Sequence, residues 1–164
     1  MKLVTKILLG LAVLLLLAQF VPSENNSAIG AQPNDIFTKY PASAEVQAIA
    51  KKACYDCHSN NTVYPWYANV QPLTWWINDH VKEGKGEFNY SEFNTYTPKR
   101  ARHKLEEVAE QVNEHEMPLN SYTWIHAEAR LSDAERKVLT DWAMATRETI
   151  PAPPKTKSNE FENE

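Results

Sequence analysis

Cysteine is scarce in this chain: there are two among 164 residues. No second C-x-x-C and no H-x-x-x-H accompanies them, so the paired ligand clusters of a structural zinc site are missing. A disulfide between two residues so close would shut too small a loop to stabilise a fold much. No strand-like run precedes the pair, which removes the βαβ setting of a thioredoxin-type dithiol. Positive charge is not in excess either. The net charge is −4 with both signs mixed, so the basic footprint of a nucleic-acid binder is absent. There is no internal repeat, and no pairing of nucleophile with base is apparent, which argues against a hydrolase and for a protein that is not an enzyme.

The two cysteines lie in Cys54-Tyr55-Asp56-Cys57-His58, the C-x-x-C-H spacing that attaches a c-type haem. Two thiols three positions apart can each add to one vinyl group of a single porphyrin. The histidine that follows is then placed to ligate the iron as its proximal ligand. The expected cofactor is one haem c (iron) per chain, covalent through Cys54 and Cys57.

The N-terminus points the same way. Two lysines in residues 1–6 precede an apolar run from Ile7 to Val21, interrupted by Gly10 and Gln19, which reads as an export signal or signal anchor over residues 1–23. The run is short for a membrane span, yet no small-x-small cleavage site directly follows it, which favours an uncleaved anchor. No cysteine stands near its end, so lipid attachment there is excluded. The expected location is the bacterial inner membrane facing the periplasm, or the periplasm itself if the segment is cut. Residues 24–34 read as a polar tether, 35–149 as the haem-binding domain, and 150–164, with its prolines and charges, as a disordered tail. Asn60-Asn61-Thr62 and Asn89-Tyr90-Ser91 match the glycosylation pattern, which is frequent by chance.

The periodicity predicts an all-α fold. Val46, Ile49, Ala50 and Ala53 recur at helical spacing and lead into Cys54. Leu73, Trp76, Ile77 and Val81 repeat the pattern, with Gly84 and Gly86 expected to end it. Thr97-Pro98 reads as a cap with proline at the first helical position, followed by Leu105, Val108, Ala109 and Val112. Ser132 to Glu135 reads as a capping box, opening a helix whose apolar face would hold Leu131, Val138, Leu139, Trp142 and Ala145.

Helix, C-x-x-C-H, irregular middle, Met117-Pro118 and a terminal helix, in that order, resemble a class I cytochrome c. A closer resemblance is to the haem-binding domain family, bacterial proteins common in Bacteroidota that often carry an N-terminal membrane segment. It rests on Cys54 to Asn60, Tyr64-Pro65-Trp66-Tyr67, Pro72, Val81-Lys82-Glu83-Gly84-Lys85, Phe88 to Phe93, and Met117-Pro118. What this resemblance implies is haem binding in a cytochrome c-like helical domain, without naming a pathway.

His58 leaves one axial position to fill. Met117 leads, because a thioether is a soft ligand that favours ferrous iron; its bland alternative is packing in the core. His115 and His80 are competitors, His80 because it falls on the Leu73 stripe and should point inward. His103 and His126 read as surface residues, and Met144 as a packing residue. Tyr64, Trp66, Tyr67, Trp75, Trp76, Trp124 and Trp142 would wall a porphyrin or simply fill a core. Lys82, Lys85, Lys99, Arg100 and Arg102 would face propionates, an acidic redox partner or solvent. Together these residues suggest one-electron transfer with redox partner proteins in the envelope. The alternative is a haem peroxidase or gas sensor with an open or displaceable sixth site.

Overall fold

The computed structural model describes residues 2–152. From residue 153 on, the tail expected over 150–164 lies outside the described residues. The elements in chain order are α1 (Leu3–Ala18), α2 (Ile36–Lys39), α3 (Ala44–Ala53), α4 (Tyr55–His58), α5 (Leu73–Glu87), α6 (Pro98–Asn113), α7 (Asn120–Thr123) and α8 (Asp133–Thr149). Single 3-10 turns occupy Trp66–Asn69, Tyr90–Thr95 and Ala127–Ala129. Among the described residues there is no strand, only one isolated bridge between Ser27 and Asn61. The chain is thus all-α, as its periodicity predicts.

It divides into two compact units. One comprises the chain up to Ala31 with Tyr55–Tyr90; the other comprises Gln32–Cys54 and the chain from Ser91 onward. The division falls inside the C-x-x-C-H pentapeptide, after its first cysteine.

The second unit is organised by α6 and α8. Thr97 accepts a bond from the Arg100 N–H and Ser132 from the Glu135 N–H, so both helices start on a side-chain cap, the latter as a complete capping box. Ala101, Leu105, Ala109 and Val112 are buried on α6, and Leu139, Thr140, Ala143 and Thr146 on α8. The buried face of α8 is therefore displaced from the expected one: Ala145 is exposed, as is Met144. Leu105 and Leu139 are wholly buried, each contributing about 1.5–3 kcal/mol. Trp142 does face inward, its indole N–H donating to the Pro41 carbonyl at 3.3 Å and its ring 5.3 Å from Phe37.

Two arginines fasten this helix pair in a reciprocal manner. Arg102, near the start of α6, donates to the carbonyls of Arg147 (2.6 Å) and Ile150 (2.8 Å) at the end of α8. Arg136, near the start of α8, donates to the carbonyls of Val112 (2.7 Å) and Met117 (2.8 Å) at and beyond the end of α6. The helices therefore run antiparallel, and each places a cation on the negative end of the other's dipole. Arg102, read from the sequence as part of a basic surface stretch, is instead a structural clamp. Within the same stretch, Arg100 lies over the Tyr96 ring, 4.3 Å from its centre.

The end of α6 is a Schellman turn. The Glu116 N–H bonds the Gln111 carbonyl at 3.0 Å and the His115 N–H bonds that of Val112 at 3.3 Å, with His115 at φ +63°. His115 thus occupies the left-handed position that glycine usually fills.

In the first unit, α1 has no buried residue, and no helix is long and apolar enough to cross a membrane among the described residues. α5 packs on α4 and on the 3-10 turn at Trp66–Asn69. It runs through Gly84 and Gly86 to Glu87, contrary to the expected stop, and buries Thr74 and Val81, whereas Leu73 and Trp76 are exposed. The tether expected over 24–34 is in part folded into this unit. Asn26 donates through its side chain to the Ser59 carbonyl (2.8 Å) and the Thr62 hydroxyl (2.9 Å) and through its backbone N–H to the Tyr64 hydroxyl (2.9 Å). Lys85 reaches its amide oxygen, and Asn78 donates to Ser23 and to the Glu24 carbonyl.

Three outcomes in solution follow for the second unit. Arg136→Met should cost about 2–3 kcal/mol in a denaturant titration, since it leaves carbonyls at the end of α6 without their charged donor, while His115→Gly should gain about 1 kcal/mol by relieving the left-handed backbone. Glu135 is the third case: the Lys52 ammonium at 2.5 Å, helped by the Ser132 backbone, pulls its carboxyl down to about 2 from 4.5. A depressed folded-state value stabilises above the unfolded one, so this contribution is complete above about pH 4.5 and is lost as pH falls toward 2. Glu135→Gln should flatten the stability profile in that window, measured by thermal melts across pH.

Candidate functional site

The C-x-x-C-H pentapeptide begins where α3 stops. α3 is started by Ser43, whose hydroxyl accepts from the Val46 N–H at 3.2 Å, and buries Val46, Ile49, Ala50 and Ala53, as its periodicity predicts. Cys54 is its C-cap and packs with the second unit's core cluster around Val46, Ile49, Val112 and Leu139. Tyr55 to His58 then form the single turn of α4. Both cysteines are thiols. Burial, with the Asp56 carboxylate beside it, pushes the Cys57 thiol up to about 11.

α4 is held by a close approach of α5. A Cβ built on Gly84 would stand 2.7 Å from the Cys57 carbonyl oxygen and 3.2 Å from its Cβ. Only glycine allows that spacing, which explains why α5 contains Gly84 without ending there. Continuing to its C-cap, α5 delivers the Phe88 carbonyl to His58, whose Nδ1 lies 2.9 Å from it. A carbonyl only accepts, so Nδ1 carries the proton and Nε2 keeps the lone pair. Burial holds the imidazole pKa below its ordinary value, opposed by the Phe88 and Gly84 carbonyls and by Glu87. A neutral ring with one nitrogen anchored to a carbonyl is the usual state of a metal-ligating histidine. His58 therefore fits the role of proximal ligand to a haem iron.

Beyond His58 the chain is braced at many points. The Asp56 carboxylate accepts from the Val63 N–H (3.0 Å) and its carbonyl from the Thr62 hydroxyl (2.6 Å). Tyr90 is buried, its ring centre 4.7 Å from those of both Tyr55 and Phe88. The asparagines of the two glycosylation-like triplets bond each other, Asn89 to Asn60 at 2.9 Å, and Asn89 is buried. These triplets are structural contacts.

Met117 follows the Schellman turn of α6, its N–H bonded to Gln111 and its carbonyl to Arg136. Its side chain is partly buried against the same core cluster as Cys54. His115 gives its backbone to the turn, and the residue is exposed. His80 does not point into a core: its ring lies 4.5 Å from that of Trp76, and Nδ1 bonds the Trp76 carbonyl at 3.0 Å within α5. His103 pairs with Glu107 on the surface of α6, and His126 stacks on Tyr122 and faces Glu128. Of the expected aromatic wall, Trp142 belongs to the core and Tyr64 to the Asn26 network, but Trp66, Trp75, Trp76 and Trp124 are exposed. No group of three or more His, Cys, Asp or Glu side chains that would hold a bare metal ion occurs among the described residues.

Sequence reasoning misses three parts of this site: the Phe88 carbonyl, the Gly84 contact and the Asn26 network. Gly84 alone left a trace, as a glycine within an otherwise helical pattern.

Comparison with known proteins gives one match. The sequence model of a family described as the haem-binding domain matches residues 13–145. No curated protein and no solved structure matches the chain.

The Gly84 contact has a simple internal control, because a Cβ on Gly86 would meet nothing within 4 Å. Gly86→Ala should raise stability by up to about 1 kcal/mol through helix propensity. Gly84→Ala should lower it by about 1–3 kcal/mol by overpacking against backbone, and should reduce haem retention. Equal and favourable effects of both substitutions in a urea titration would contradict the close approach.

Proposed function

The chain belongs to the haem-binding domain family and binds haem, and from this premise we propose that it holds one haem c covalently through Cys54 and Cys57 and serves as a one-electron carrier in the bacterial envelope. The observation that carries the reading is the Nδ1 contact of His58 with the Phe88 carbonyl, directly after a C-x-x-C pair of thiols. The haem supplies an iron that alternates between ferric and ferrous forms. His58 supplies the proximal nitrogen, neutral and fixed in one tautomer. Each thiol would add across one vinyl group, its hydrogen going to the vinyl carbon, so that attachment would need no oxidant.

Met117 would supply the second side-chain ligand in this proposal. Its support is the soft thioether, and its backbone position fixed by Gln111 and Arg136. His58 and Met117 would hold the iron in both its ferric and ferrous forms, so little would have to move on electron transfer, which suits a carrier. The apolar residues of 1–23 would keep the protein at the inner membrane, facing the periplasm, where redox partner proteins of the envelope would meet it.

Intact mass of the exported protein should exceed that of the polypeptide by one haem, and the alkaline pyridine spectrum should report two thioether links. Cys54→Ala and Cys57→Ala should each shift that spectrum to one link. Met117→Ala should abolish the near-infrared sulfur-to-iron charge-transfer band, turn the haem toward high spin and lower its potential, while His80→Ala should leave all three unchanged. A wild-type protein that is already high spin and rapidly takes up carbon monoxide or peroxide would instead make it a gas sensor or peroxidase.

A further inference from the structure

We propose that the first unit docks on the interfacial layer of a lipid bilayer through an apolar surface of Trp66, Val70, Leu73, Trp75 and Trp76. All five are exposed, Trp66 to 80% and Trp76 to 48%. An exposed cluster of this kind marks an interaction surface, and three tryptophans among five residues suit the boundary between headgroup and acyl chain, where an apolar ring with one polar N–H is favoured.

Two further observations select lipid as the occupant. The cluster is tied to the end of α1 by a reciprocal pair of bonds: the Gln19 side chain donates to the Gln71 carbonyl at 3.1 Å and accepts from the Gln71 N–H at 3.0 Å. α1 is exposed from Leu3 to Leu17 and apolar on nearly every face, a pattern matched by a medium that surrounds a helix and not by a partner covering one side. With 16 residues it spans about 24 Å, less than the roughly 30 Å of a bilayer core, and beyond its end Phe20 and Val21 are exposed as well. The second observation is segregation along α5. Its exposed residues in the turn next to Gln71 are Leu73, Trp75 and Trp76, and those farther along, Gly86 apart, are Asp79, Lys82, Glu83 and Glu87. The apolar end of the helix is the one fastened to α1, and the charged end points along the axis away from it.

The inference rests on the lipid association of α1 proposed above, and the experiment separates the two. The full-length haem-loaded protein is mixed with vesicles of phosphatidylethanolamine and phosphatidylglycerol doped with a lipid carrying a photoactivatable diazirine near its headgroup. After flotation and irradiation, adducts are mapped by peptide mass spectrometry. Docking gives adducts on residues 66–76 as well as on 3–21, and a Trp66→Glu/Trp76→Glu variant with unchanged helical circular dichroism loses the former while keeping the latter. Adducts confined to residues 3–21 overturn docking and leave the tether standing. Protein that does not float and carries no adduct overturns both, whatever its haem content. Adducts on 66–76 that persist in the double variant overturn the assignment of this surface, as does a wild-type protein whose cluster is protected by a second copy in sedimentation and is unlabelled.

Discussion

The arrangement around His58 depends on how near α5 can come to α4. The approach is set by a missing methyl group: the place where a Cβ would stand on Gly84 is already within 2.7 Å of the Cys57 carbonyl oxygen. At that separation the C-terminal turn of α5 brings the Phe88 carbonyl to Nδ1 of His58. A helix displaced by even one side-chain layer would leave the imidazole without its acceptor. The tautomer would then no longer be fixed, nor the ring orientation with it. The helical cost of a glycine, about 1 kcal/mol relative to alanine, is offset by a contact that positions His58. Gly86, one turn position away from any such neighbour, has no comparable reason to be there that the structure explains.

The second unit solves a different problem, that of two helix ends whose carbonyls would otherwise be unsatisfied. Arg102 and Arg136 answer it for α8 and α6 respectively, and their charge matches the dipole they meet. Arg136 extends the same guanidinium to the Met117 carbonyl, so that the segment after α6 is fixed by the helix that follows it in the chain. Met117 and Cys54 are both packed on the cluster formed by α3, α6 and α8. The core of this unit thus orders two residues of the proposed haem chemistry by ordinary apolar packing, with the Schellman turn at His115 setting where the chain departs from α6.

The stretch from Ser23 to Ala28 shows how composition misleads when hydrogen bonding, and not burial of apolar surface, orders a segment. Its residues are polar and small, the profile of a linker. Yet Asn26 uses its backbone and both ends of its amide at once, and the partners come from Ser59, Thr62, Tyr64 and Lys85. Such a network has no periodicity, so nothing in the local sequence announces it. The paired asparagines Asn60 and Asn89 belong to the same class of contact.

The sequence by itself determined the elements whose causes are local. α3, α6 and α8 start at Ser43, Thr97 and Ser132 because a cap acts within three residues, and the all-α class follows from apolar spacing. The pentapeptide Cys54 to His58 stands out as a candidate site because the C-x-x-C-H spacing is local, and Met117 stands out as a candidate because a thioether is a property of the residue type. Tertiary structure decided what depends on partners distant in the chain. It carried α5 through two glycines to Glu87, set His80 against Trp76 of its own helix, left Met144 exposed, placed His115 in a left-handed turn, and made Arg102 a clamp. It also left Trp66, Trp75 and Trp76 exposed, where hydrophobicity alone would have buried them. The physical reason is range: capping and periodicity act within one or two helical turns, whereas the Phe88 carbonyl meets His58 only after thirty residues of chain have folded back.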